Sequence, residues 1–579
     1  MLESARSQKG GGFAMAHISD WNPQLVRELK GRWKGRNLAI AVVASGLGQL
    51  LLFLSKQGEL PSLANRVNRY CIGTPPAENL SAAQMHNPPN NYCLEDTLGN
   101  LTINWQLWWL DLFTDLTAIA LIILLAVGTY VLISDLAQEE KSGTLNFIRL
   151  SPRSVSNLLV GKLLGVPSLI YTVILLALPL HVFAGWQAEI PLPLIAGFYL
   201  VVIASCAFFF SAALLYSLVA AGLGSFQAWL GTGLVFLFLW LTTMGGYNNA
   251  LVNQDPSDWL TLFYPGKVLP YLIGETPHSL DTIGYFNLKD AMTLDWYNFP
   301  IWNHASSAIA LLIVNYAWWT YWIWQGLKRR FHNTHATLLS KSASYGVSAS
   351  FTVSLLGFMS FHEYQGGENF PILFTLFTIE LVGFLLLIVA LVPHRQTLQD
   401  WARYRHQKNS QANRNLLLDL IRGDYSPATA AIALNVFING LLIATAIGFF
   451  PLGNERADIW TNLLFVGSVF LTYACIAQLV LFMKTEKRSL FAVIILSSVM
   501  FVPTAIGSLL QLPSVITFAF FPLSPLSLIA SPALGFALLS QWLVMIACTW
   551  QLTRQLKQAG QSQSKALFNS ATVKGSLFG

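Results

Sequence analysis

Long stretches of this chain run for about twenty residues with almost no charge, and that property constrains the fold more than any other. The segment 194–220 contains no Asp, Glu, Lys or Arg at all. About twenty apolar residues is the length an α-helix needs to cross some 30 Å of hydrocarbon. Lipid cannot satisfy exposed backbone donors and acceptors, so such runs are predicted to be helices. Hydrophobic residues make up 54% of the chain and charged residues only 11%, against about 25% charged in soluble domains. The fold class that follows is an all-α polytopic membrane protein. The formal net charge of +6 comes mostly from Lys and Arg in short loops, as orientation by the positive-inside rule produces. It points to a lipid bilayer and to no nucleic-acid partner.

Twelve spans are expected. Six lie at 38–54, 112–133, 158–183, 194–220, 226–244 and 306–324, and six at 346–361, 371–392, 427–450, 459–483, 490–510 and 533–550. Basic clusters at 328–330, 394–422 and 484–488 mark the inner side and place both termini in the cytoplasm. A bacterial-type inner (cell) membrane is the expected location. The first residues show no signal-peptide pattern, so the first run is expected to stay as an anchor. Residues 1–21 read as a disordered tail. Asn22-Pro23 reads as an N-cap with proline in the first turn. Residues 24–36 have Leu25, Val26, Leu29 and Trp33 on one face among basic residues, the pattern of an amphipathic helix on an anionic membrane surface.

Cys71 and Cys93 share the polar outer loop 56–105. In an oxidising compartment they can form a disulfide; two free thiols are the alternative. Cys206, Cys475 and Cys548 fall in apolar runs and read as buried thiols.

The two sets of six spans look like tandem copies. Leu327-Lys328, Leu338 and Gly346 recur at the same spacing as Leu556-Lys557, Leu567 and Gly575. The run from Leu145 to Pro152 is echoed by Leu418, Ile421 and Arg422 followed by Ser426-Pro427. Two halves of the same topology are expected, 22–345 and 346–555, with a cytoplasmic tail at 556–579. An even number of spans per half makes the repeats parallel.

Between the second and third spans lies a polar segment, Glu139-Glu140-Lys141-Ser142-Gly143-Thr144-Leu145-Asn146-Phe147-Ile148-Arg149-Leu150-Ser151-Pro152. Leu145 and Ile148, three apart, share a helical face. Glu139 and Glu140 are expected at the start of that short helix, where the dipole favours acids. No phosphate-binding glycine loop, zinc motif or nucleophile motif occurs. The chain is therefore expected to be no enzyme and to bind no cofactor or metal of its own. Glu380 is the one ionisable candidate recognised within a span. Asn315, Asn435, Asn439 and Gln478 read as helix–helix contacts.

The segment 139–152, with Gly161-Lys162 at the third span, resembles the permease subunits of type-2 ATP-binding-cassette (ABC) exporters. The match covers 22–326 well and 346–555 weakly. It implies that Glu139, Glu140, Lys141, Gly143, Thr144, Leu145, Ile148 and Arg149 belong to a coupling helix that docks on a separate ABC ATPase subunit, a dimer using ATP and Mg. It also implies an interface helix at 24–36, re-entrant outer helices at 256–273, and a weaker second coupling helix around Leu418, Ile421 and Arg422. So few intramembrane charges suit an apolar or amphipathic cargo. The alternative is a twelve-span ion-coupled carrier resting on Glu380; a membrane-embedded enzyme or scaffold is the minor option.

Overall fold

The computed structural model describes residues 20–560 apart from 64–65, 72, 74–91, 97–98, 248–251, 277–293, 360–368, 409–415, 450–455, 486, 513–516 and 523–532. Most of the two expected tails, and Leu567 and Gly575 of the repeat, lie outside those residues. The described residues form an all-helical, membrane-embedded chain, with isolated β-bridges and no strand. Among the described residues, ten helices are long and apolar enough to cross a membrane. Two of the twelve expected spans are not among them. The sixth is rich in Trp and Tyr, which lower its hydropathy. The seventh is only sixteen residues, Lys341–Leu356.

The chain divides into two compact units. Unit 1 holds residues 1–253, 260–295 and 300–324; unit 2 holds 254–259, 296–299 and 325–579. In unit 1 a short helix, α1 (Pro23–Arg32), precedes the first span, α2 (Gly35–Gly58). The second span is one continuous path of α3 (Trp105–Ile122), a π turn (Ile123–Val127) and α4 (Gly128–Lys141). A six-residue helix, α5 (Thr144–Arg149), leads to α6 (Val155–Gly165) and α7 (Ser168–Gln187), which together replace the single third span expected. Next come α8 (Leu192–Val219) and α9 (Phe226–Tyr247), the short α10 (Leu269–Gly274), and α11 (Ala305–His332), in which the unit boundary falls. α2 packs on α7, α3 on α7, α4 on α8 and α9, and α1 on α6.

Unit 2 contains α12 (Lys341–Leu356), α13 (Asn369–Leu391), α14 (Arg395–Lys408), α15 (Leu416–Arg422), α16 (Thr429–Phe449), α17 (Arg456–Leu481), α18 (Arg488–Leu509) and α19 (Ala533–Gly560). Its first helix, α12, packs on its third long helix, α16, as α2 does on α7 in unit 1. The centre differs, because α17 packs on α16, α18 and α19. α14 is a helix of its own, held to α19 through Leu398, Phe482 and Leu552.

Candidate functional site

The polar segment of unit 1 is built around one glycine. Gly143 has φ +75°, the left-handed region that an L side chain rarely adopts. It closes α4, which has Lys141 in its last turn, and it caps α5. Glu139 and Glu140 therefore sit at the C-terminal end of α4, not at the start of the short helix as expected. The dipole disfavours acids there, so their placement needs cations.

Those cations come from α1 and α6. Lys162 Nζ lies 2.8 Å from Asp135, 2.7 Å from Glu139 and 3.5 Å from Glu28. Arg27 reaches Glu139 at 2.5 Å and Glu28 at 3.1 Å. Arg32 pairs with Asp135 and lies 3.5 Å from Glu28. Lys162 is buried, and three cations balance three carboxylates. The carboxylate oxygens come within 4.8 Å of one another, a spacing that suits a metal ion. Here the Lys162 ammonium is bonded to all three and supplies the positive charge.

Close helix approach makes the cluster possible. A Cβ on Gly161 would stand 2.6 Å from Asn22 Oδ1 and 2.9 Å from the Leu25 amide, so only glycine lets α1 lie on α6. Asn22 caps α1 through the Leu25 N–H at 3.0 Å and donates to Asn157 O at 2.7 Å. Leu25 and Val26 are consequently buried, in a helix packed on α6, while Trp33 is exposed. This corrects the expectation of a shared lipid-facing stripe.

Within α5, Leu145 and Ile148 are buried, as a shared apolar face requires. Phe147 and Leu150, also three apart, point outward and are 77% and 82% exposed. The sequence reading did not single them out. Lys141 and Thr144 are exposed, and Gly143 and Arg149 are partly covered.

The weaker second copy also forms a short helix, α15. Leu416, Leu417 and Leu418 are exposed along it, Ile421 is half-buried and Arg422 exposed. Its anchor is different. Lys341 Nζ, buried, donates to Leu420 O at 2.8 Å, Ser426 Oγ at 2.6 Å and Pro427 O at 2.9 Å. A cavity of about 720 Å³ lies beside it, lined in part by Trp401, Tyr404, Asp419 and Tyr425.

At the other end of the second span the loop that holds Cys71 and Cys93 is clasped to α3. Cys71 and Cys93 are disulfide-bonded. Tyr70, fully buried, donates to Asp111 at 2.8 Å, and Arg69 pairs with Asp111 at 3.0 Å. Burial, then the Asp111 charge, raises the Tyr70 phenol well above its ordinary value and keeps it a donor. Lys56 pairs with Asp115 at 2.8 Å.

Glu380 is not the only ionisable group along the predicted spans, contrary to the sequence reading. Asp115, Lys162 and His181 share them. His181 is satisfied: Thr117 gives its hydroxyl proton to Phe113 O at 2.7 Å and so accepts from His181 Nε2, 2.7 Å away, while Tyr199 OH reaches Nδ1 at 2.6 Å. Cys206, Cys475 and Cys548 are free thiols, Cys475 buried and the other two half-buried. No family model, curated protein or solved structure matches this chain.

Proposed function

We propose that this chain is the membrane-spanning permease subunit of a type-2 ABC exporter, moving an apolar or amphipathic cargo with ATP hydrolysed by a separate ATPase. The observation that carries the reading is the two-faced α5. Its inner face is packed, its outer face presents Phe147 and Leu150, and its root is fixed to α1 and α6 by the Lys162 cluster. A rigidly rooted short helix with an exposed apolar tip is suited to receive a push from a partner and pass it to the helices it joins. The resemblance at 139–152 supplies the class of partner.

In this reading the two units are the two permease halves, with twelve spans and cytoplasmic termini. α11, at twenty-eight residues, reaches about 42 Å and is long enough to cross. α12 reaches only about 24 Å, so it crosses with its Lys341 end drawn into the membrane edge. α5 docks the ATPase, and α15 is an altered second contact with three leucines in place of the phenylalanine. The ion-coupled carrier keeps one observation in its favour, the buried Glu380.

The test is a Phe147→Asp, Leu150→Asp double variant. Both side chains are exposed, so the change in unfolding stability should stay within about 1 kcal/mol. Loss of two central apolar contacts should weaken ATPase association at least about 30-fold, read as ATP hydrolysis co-purifying with the chain from its native membrane. Hydrolysis that co-purifies equally with the variant would refute docking through α5. Transport abolished by a protonophore but indifferent to ATP would favour the carrier.

A further inference from the structure

Among the described residues of unit 2, one carboxyl group is buried in a helix interior without a cation. Glu380 of α13 accepts from Thr352 Oγ1 of α12 at 2.6 Å and from Asn439 Nδ2 of α16 at 3.4 Å. Both partners are buried and neutral. The same amide leaves its other atom, Asn439 Oδ1, buried with no hydrogen bond.

The polar groups here allow two arrangements. With Glu380 ionised, Thr352 and Asn439 Nδ2 donate to it and Asn439 Oδ1 is left over. With a proton on Glu380 and the amide turned over, the acid O–H donates to Asn439 Oδ1, and the amide NH₂ is left over. Each state leaves half of one amide unpaired, so the count of hydrogen bonds favours neither.

A polar path leads to this point. Ser344, Ser348 and Thr352 recur every fourth residue on one face of α12. Asn435 donates to Ser344 Oγ at 3.0 Å, and Ser348 donates to Asn435 Oδ1 at 2.5 Å. All are buried, and the face begins at Lys341. The groups bonded to Glu380 are Thr352 from α12 and Asn439 from α16, with Ser348 and Asn435 one turn away on the same helices, and none of them titrates. One turn along α13, Phe384 lies against Phe470 of α17. The other titratable groups on these helices are Lys341 and Tyr345 on α12 and Arg456, Asp458, Tyr473 and Cys475 on α17, and no charged group acts on Glu380.

We propose that Glu380, Thr352 and Asn439 form a reversible proton-binding site inside unit 2, reached along the polar face of α12. Hydronium entering at the Lys341 end gives its proton to the carboxylate and leaves water; release is the reverse. The site stands apart from the α5 docking surface, which lies in unit 1, so either can fail without the other.

Infrared difference spectroscopy on the full chain in lipid nanodiscs tests it. A carboxylic-acid C=O band should appear and vanish reversibly with pH and be missing from Glu380→Gln. Thr352→Val keeps Glu380 and removes a donor to its ionised form, so the midpoint should rise by about one pH unit. That variant serves even if Glu380→Gln does not fold. A Glu380 band that persists at every pH where the protein stays folded, or is never seen, overturns the proposal. So does a band removed at fixed pH by sodium chloride but not by choline chloride, which would assign the site to a metal cation.

Discussion

Replacing Lys162 by methionine is expected to cost about 3–5 kcal/mol, because it strands buried carboxylates. Lys162 is the common partner of Glu28, Asp135 and Glu139. Without it, Arg27 and Arg32 face one more negative charge than they can match. Methionine has similar volume, so the loss is electrostatic and not a cavity. The measurement is thermal unfolding of the solubilised chain, paired with Glu139→Gln. The double variant restores charge balance and should recover at least about 1 kcal/mol relative to the sum of the single changes. A Lys162→Met cost below about 1 kcal/mol would mean the cluster is not what roots α5. The same geometry complicates any test by charge reversal at Glu139, since it breaks this cluster whether or not a partner docks nearby.

Removing the Cys71–Cys93 disulfide with Cys71→Ser and Cys93→Ser should destabilise the loop by about 3 kcal/mol. The bond closes a sequence separation of 22, and freeing a loop of that size restores roughly that much chain entropy to the unfolded state. Cys71 follows Tyr70, whose hydroxyl holds Asp111, so the clasp on α3 should loosen together with the loop. Limited proteolysis between residues 56 and 105 and the unfolding temperature are the readouts. Reductant should reproduce the double variant in the wild type and do nothing further to the variant. A wild type indifferent to reductant would show that Tyr70 and Arg69 hold the loop unaided.

Some of this was legible in the residues. Ten spans were readable because length and apolarity are local properties. The closing of α4 was readable too: a lysine in the last turn followed by glycine is a helix-end signal, and giving it more weight would have put Glu139 and Glu140 on the correct helix. The faces of α5 were not readable, because Leu145 with Ile148 and Phe147 with Leu150 are apolar pairs at the same spacing. Only the third dimension says which pair is covered. Lys162 carried no local sign of its role, since Glu28 lies more than a hundred residues earlier and an amphipathic reading of α1 leaves that acid facing water. His181 was hidden in an apolar run, where its two hydrogen bonds come from other helices.

The seat of α1 on α6 has a consequence in time. Asn22 bonds to the backbone of Asn157, 135 residues further along. At about 5–20 residues per second, a ribosome reaches Asn157 some 7–27 s after it has made Asn22. Throughout that interval Leu25 and Val26 have no protein surface to cover them, and the basic helix has only the face of the membrane on which to wait. The two glycines of α6, Gly161 and Gly165, are then the landing place that ends the wait, and the ion cluster forms at that moment. For this helix, packing on the protein has to wait until α6 has been made.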